Sequence, residues 1–198
     1  GLTGVSPLAA GGDHTCAVTA AGVSCWGDND NGQCTAEAAT DDPIAAPTAV
    51  AGLTGVRAMA LGSKRSCALM ADGSAKCWGY NNVDQTLVPA DLGNVIALDA
   101  AGGFACAIAE ANQNVICWGD HWEGQLDVPS TLGPAVAVST GSNHACAIDT
   151  VGEVTCWGRG SSHPDYMGQL DVPTNLGEAT AISAGYEHTC AIIDGGTV

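Results

Sequence analysis

Ten cysteines, five histidines and a short acid–amide run are the side chains here that could do chemistry. No two cysteines form a C-x-x-C pair, so neither a zinc ribbon nor a thioredoxin-type motif is supported. Ten thiols in 198 residues point instead to cystines formed in an oxidising compartment. The run "DNDNG" at 28–32 resembles the opening of a calcium loop, but an EF-hand needs Gly sixth and Glu twelfth. Here Gly32 is fifth and Ala39 is twelfth, so the run is read as a turn. His14, His144 and His188 share one slot of a repeated motif, which Arg65 and Phe104 fill elsewhere. A metal or catalytic role would not survive that exchange, so a structural role is expected. The chain contains no G-x-S-x-G, no H-E-x-x-H and no phosphate loop. No catalytic residue, metal or cofactor is assigned, and the chain is read as a non-enzyme.

The elements that must position these residues come from internal repetition. "GGDHTCAV", "GSKRSCAL", "GGFACAI", "GSNHACAI" and "GYEHTCAI" align, and "VSCWG", "AKCWG", "VICWG" and "VTCWG" follow the first four. "GQLDVP" closes two units, with "DQTLVP" and "GQC" as degraded copies. The first-marker cysteines Cys16, Cys67, Cys106, Cys146 and Cys190 lie 51, 39, 40 and 44 residues apart. A period near 40 with short strands and Gly-rich turns predicts an all-β array of the β-propeller kind. Each unit reads as an alternating apolar strand, the "HTCAV" strand, a tight turn, the "CWG" strand and a short fourth strand on "GQLDV". Folding each hairpin about its turn sets Cys16 opposite Cys25, Cys67 opposite Cys77, Cys106 opposite Cys117 and Cys146 opposite Cys156. Opposed residues are close enough for a disulfide. Period two then puts His14, Cys16 and Val18 on one face, and Ala17 and Trp26 on the other. Recurrent large Trp and small Ala predict packing between blades.

These markers resemble the regulator of chromosome condensation repeat family over essentially the whole chain, most closely its cysteine-paired, secreted bacterial members. The resemblance implies a propeller of four-stranded antiparallel blades, commonly seven. About five repeats are expected in one region, 1–198: approximately 1–50, 51–92, 93–132, 133–176 and an incomplete 177–198. "TAEAATDDPIAAPTA" is expected to be an extended surface loop, and "GSSHPDY" a shorter insertion. The chain opens at Gly1 rather than Met, which reads as a processed or partial chain, and it stops at "IIDGGTV", before the "CWG" strand that would partner Cys190. It is therefore expected to be part of a longer chain and of a seven-bladed ring, with a shorter ring or an open arc as alternatives. Cys34 replaces the Leu of "GQL". It is read as a hydrophobe stand-in, or as a partner of Cys190 or of another cysteine.

With 21 acidic and 5 basic residues the net charge is −16. That argues against nucleic acid, which needs clustered cations, and against an anionic membrane surface. No apolar run approaches the ~20 residues that span a bilayer. The nuclear founder's exchange-factor and chromatin roles are not carried over. The expected function is an extracellular or cell-surface binding or scaffold propeller with a protein or glycan partner, self-association being a further option. The alternatives are a secreted enzyme-inhibitor propeller, a segment of a surface fibre or adhesin, and a propeller lyase. Segments after each "CWG" vary most between units, and variable loops on a rigid scaffold carry binding. The partner surface is therefore assigned to Tyr80 and Asn81, to Asp120, His121, Trp122 and Glu123, and to His163, Asp165 and Tyr166.

Overall fold

The computed structural model describes residues 1–36, 39–40, 42–160 and 162–194. Among them are fifteen strands and no helix. The first sheet contains β1 (Leu8–Ala10), β2 (His14–Thr19), β3 (Gly22–Gly27) and β4 (Ile44–Ala49), in that order. The second contains β5 (Val56–Leu61), β6 (Arg65–Met70) and β7 (Ala75–Gly79). The third contains β8 (Val95–Ala101), β9 (Phe104–Ala109) and β10 (Val115–Gly119), and the fourth β11 (Ala135–Thr140), β12 (His144–Asp149) and β13 (Val154–Gly158). β14 (Ala179–Ala184) and β15 (Thr189–Ile193) form the fifth. All pairings are antiparallel, and the inner strands β1, β5, β8, β11 and β14 stand side by side in that sequence. Turns after all five converge on one central cavity, lined among others by Gly11, Gly62, Gly102, Ser142 and Gly185. This is a β-propeller arrangement of small blades.

Two local expectations change. "GQLDV" forms turns, not a fourth strand. Its Gln is buried and folds back on its own loop, so the segment cannot lie flat along a sheet edge. In the first blade the fourth strand is instead β4, inside the segment read as a loop. It pairs with β3 through Ser24↔Ala49 and Cys25↔Thr48. β4 is exposed and carries Pro47, which suits an edge strand. Residues 37, 38, 41, 161 and 195–198 of the two insertions and of the closing "IIDGGTV" lie outside the described residues.

The hairpin registers set Cys16 opposite Cys25, Cys67 opposite Cys77, Cys106 opposite Cys117 and Cys146 opposite Cys156, and all four pairs are disulfides. Each closes a short loop and stabilises by roughly 2–3 kcal/mol. The cysteine face of one blade packs on the alanine–tryptophan face of the next. Cys16 and Val18 meet Ala68 and Trp78; Cys67 and Leu69 meet Ala107 and Trp118; Cys106 and Ile108 meet Ala147 and Trp157. Alanine lets the backbones approach, and the indole fills the remaining depth. The glycine of each "CWG" is required: Gly79 has φ +106°, and a Cβ there would sit 2.7 Å from the Lys64 carbonyl.

Cys34 and Cys190 are free thiols. Cys34 is fully buried in the first core and donates its Sγ–H to the Asp28 carbonyl at 3.2 Å, so it substitutes for the leucine. Burial, reinforced by Asp28, pushes its pKa up to about 11. Cys190 is exposed. Iodoacetamide without reductant is expected to modify Cys190 alone in the native protein and both thiols after unfolding. Mass analysis showing more than two modified cysteines would contradict the four-bridge frame.

Candidate functional site

The variable loops are anchored in the same way in each of the first four units. At the start, the residue after "CWG" donates its N–H to the carbonyl preceding the histidine slot. These bonds run from Asp28 to Asp13, Tyr80 to Lys64, Asp120 to Gly103 and Arg159 to Asn143, at 2.8–3.0 Å. At the end, a buried glutamine accepts the N–H two residues upstream. Gln33, Gln85, Gln125 and Gln169 take Asn31, Val83, Glu123 and Met167 at 2.9, 2.8, 2.7 and 2.8 Å. The next blade clamps the same glutamine: Trp78 Nε1 donates to the Gln33 carbonyl at 2.9 Å, and Trp157 Nε1 to that of Gln125 at 3.0 Å. Side chains between these anchors project from the strand ends opposite the hairpin turns.

The acid–amide run is spent on its own loop. Asp28 Oδ2 accepts from Gln33 Nε2 at 2.7 Å, and Asn29 Oδ1 accepts from Cys34 N at 2.9 Å. Among the described residues no cluster of three or more His, Cys, Asp or Glu could hold a metal.

The histidine slot lies between blades. His14 Nε2 hydrogen-bonds Ser66 Oγ, and His144 Nε2 bonds Thr189 Oγ1, each at 2.9 Å and each on the following blade. Where the slot holds Arg65 or Phe104, the facing position is Ala105 or Ala145. Phe104 packs in one core with Ala145. Arg65 reaches the third blade's backbone instead. Its Nη1 donates to the Gly102 carbonyl at 2.8 Å, and its Nη2 to those of Ala101 (2.9 Å) and Phe104. Burial lowers the Arg65 pKa to about 10, with Asp99 opposing, so it stays cationic at neutral pH.

The surface residues fall into two groups. Tyr80, Asp120 and Trp122 line one groove of about 330 Å³ between the second and third blades. Trp122 is 77 % exposed and stacks on His121, with centroids 5.3 Å apart. Glu123 and His163 belong to an ionic cluster centred on Arg159. Arg159 lies 3.6 Å from Glu123 and 3.4 Å from Glu187, and His163 lies 3.6 Å from Glu123 and 3.9 Å from Asp165. Asn81 and Tyr166 turn inward to their own loops. Asn81 Oδ1 accepts from Thr86 N at 2.9 Å, and Tyr166 donates its hydroxyl to Asp171 at 2.7 Å. Sequence reasoning missed Lys64, Arg65 and Asn82, which share the groove with Tyr80 and Trp122. The available signal was that Lys64–Arg65 is the chain's sole adjacent basic pair.

A model of the regulator of chromosome condensation (RCC1) repeat matches residues 8–33, 56–85 and 135–163. Each match runs from an inner strand, through the cysteine hairpin, into the variable loop. The chain thus carries RCC1 repeats at three sites. No curated protein sequence matches it. Among solved structures, these RCC1 repeats resemble the CRINKLY WD40 ectodomain of the Arabidopsis thaliana receptor kinase ACR4. That match has 24 % identity and a TM-score of 0.68, covering 96 % of this chain and 61 % of that one. The ectodomain of the Physcomitrella patens receptor kinase CR4 matches at 25 % identity and TM-score 0.72, covering 96 % and 49 %. Yeast RCC1 (Prp20), solved with Kap60, matches at 16 % and 0.76, covering 97 % and 54 %. The RCC1-repeat chain thus spans about half to three fifths of the length of these structures.

Burial holds the pKa values of His14 and His144 below the usual histidine value. The folded state therefore carries fewer protons than the unfolded chain below about pH 6.5. Stability is expected to be full above that pH and to fall as pH drops toward the folded pKa values. Replacing one pair by the apolar combination the third interface uses, His14→Phe with Ser66→Ala, should flatten part of this slope in urea unfolding between pH 7.5 and 5. An unchanged slope would assign the acid sensitivity elsewhere.

Proposed function

We propose that residues 1–198 form one RCC1-repeat propeller region that acts outside the cell or at its surface, without catalysis, by presenting its variable-loop face to a macromolecular partner. The observation that carries this reading is the double anchoring of each loop. A frame repeated blade after blade holds segments of unrelated sequence, with Tyr80 41 % and Trp122 77 % exposed. Preorganised aromatic anchors are what recognition surfaces use. Four disulfides suit an oxidising compartment, and two of the similar structures are receptor-kinase ectodomains. Yeast RCC1 binds a protein, Kap60, which supports a binding role for the fold. The strong negative charge disfavours nucleic acid.

A photo-crosslinking residue at position 122 is expected to yield adducts with cell-surface material. The same residue at Val151, which is exposed at the opposite strand ends, should yield none. Equal labelling from both positions, or labelling from 151 alone, would reject the loop face as the binding surface.

A further inference from the structure

We infer that the groove between Tyr80 and Trp122 binds a pyranose ring bearing a carboxylate, such as a uronic acid residue of an acidic glycan. This rests on the loop-face reading and specifies its ligand. The protein has only five basic residues, and two of them, Lys64 and Arg65, line this one groove. Arg159 is engaged by Glu123 and Glu187. The groove is thus a cationic spot on a protein of charge −16.

Its chemistry is divided in a way that fits a charged sugar. Tyr80 and Trp122 offer flat apolar faces for the C–H surface of a ring, with the indole steadied by His121. Polar groups surround those faces. Asp120 accepts the Trp122 N–H through Oδ1 at 3.1 Å, leaving Oδ2 as an acceptor for ring hydroxyls. Asn82 uses its oxygen on Gln85 Nε2 at 3.1 Å, which leaves its amide hydrogens as donors. Lys64 is exposed at the rim. Arg65 is 2 % exposed in the wall, its Nη1 and Nη2 are held by backbone carbonyls, and it contributes charge to the groove rather than a free N–H. A ligand carboxylate suits the exposed Lys64 ammonium, with the Arg65 charge behind it, and a neutral sugar would leave Lys64 unmatched. The volume, about 330 Å³, lies at the small end of ligand sites, the scale of a sugar residue rather than a folded partner.

The test is titration calorimetry with a trigalacturonate and with its methyl ester, which keeps the rings and removes the charge. The acid is expected to bind saturably and the ester about tenfold more weakly, the size of one charge-assisted hydrogen bond. Lys64→Gln should bring acid and ester close together, whereas Trp122→Ala should weaken both alike. No saturable binding of the acid, equal affinity for acid and ester, or an unaffected Trp122→Ala protein would each overturn the assignment. If adducts from position 122 persist in that case, the loop face still binds and only the ligand class is wrong.

Discussion

A single donor–acceptor contact ties the first blade to the second and the third to the fourth: an indole N–H given to the backbone carbonyl of the preceding blade's buried glutamine. It joins parts that look independent along the chain. The tryptophan follows a disulfide cysteine, while the glutamine ends a variable loop. When Trp78 and Ser66 both donate to the Gln33 carbonyl, core packing and loop conformation become one unit. The interfaces apply it unequally. Between the second and third blades, Trp118 Nε1 has no partner, and Arg65 supplies three bonds to backbone carbonyls instead. Between the third and fourth, the indole bond is present and the slot is the apolar Phe104.

Small residues explain the reliance on cystines. Ala17, Ala68, Ala107 and Ala147 are fully buried, so neighbouring sheets approach closely with little side-chain volume between them. Such thin cores bury less apolar area per residue than cores rich in phenylalanine and leucine. A bridge inside each hairpin restricts the unfolded chain and needs no volume at the interface. The cysteines also sit where the next blade covers them: Cys16, Cys67, Cys106 and Cys146 are all wholly buried.

Most of this frame was legible in the sequence, because repetition multiplies a weak signal. The hairpin registers, the cysteine pairs and the two-faced strands all follow from period two and from turn position. The "GQLDV" segment misled because its alternation imitates a strand, whereas the buried glutamine bonding back to its own loop dictates a turn. β4 was hidden in an insertion whose Pro and Ala content reads as loop, and only pairing with β3 defines it. The candidate site was half legible. Variability singled out Tyr80, Asp120 and Trp122, yet it could not show that Lys64 and Arg65, from a different turn, share their groove. Nor could it show that Asn81 and Tyr166 spend their polar groups on their own loops. Such contacts depend on side-chain direction across a blade boundary, which no periodicity encodes.

The slot pairing has a consequence for how such an array can change. His14 meets a serine, His144 a threonine, and Arg65 and Phe104 meet alanines. Each boundary thus carries a matched key, and the two halves of a key lie on different repeats. A repeat copied and inserted beside itself would bring Arg65 against Ser66 rather than Ala105, a hydroxyl where the guanidinium now passes. Repeats that look interchangeable are therefore fixed in order, and the array can lengthen only when both sides of the new seam change together.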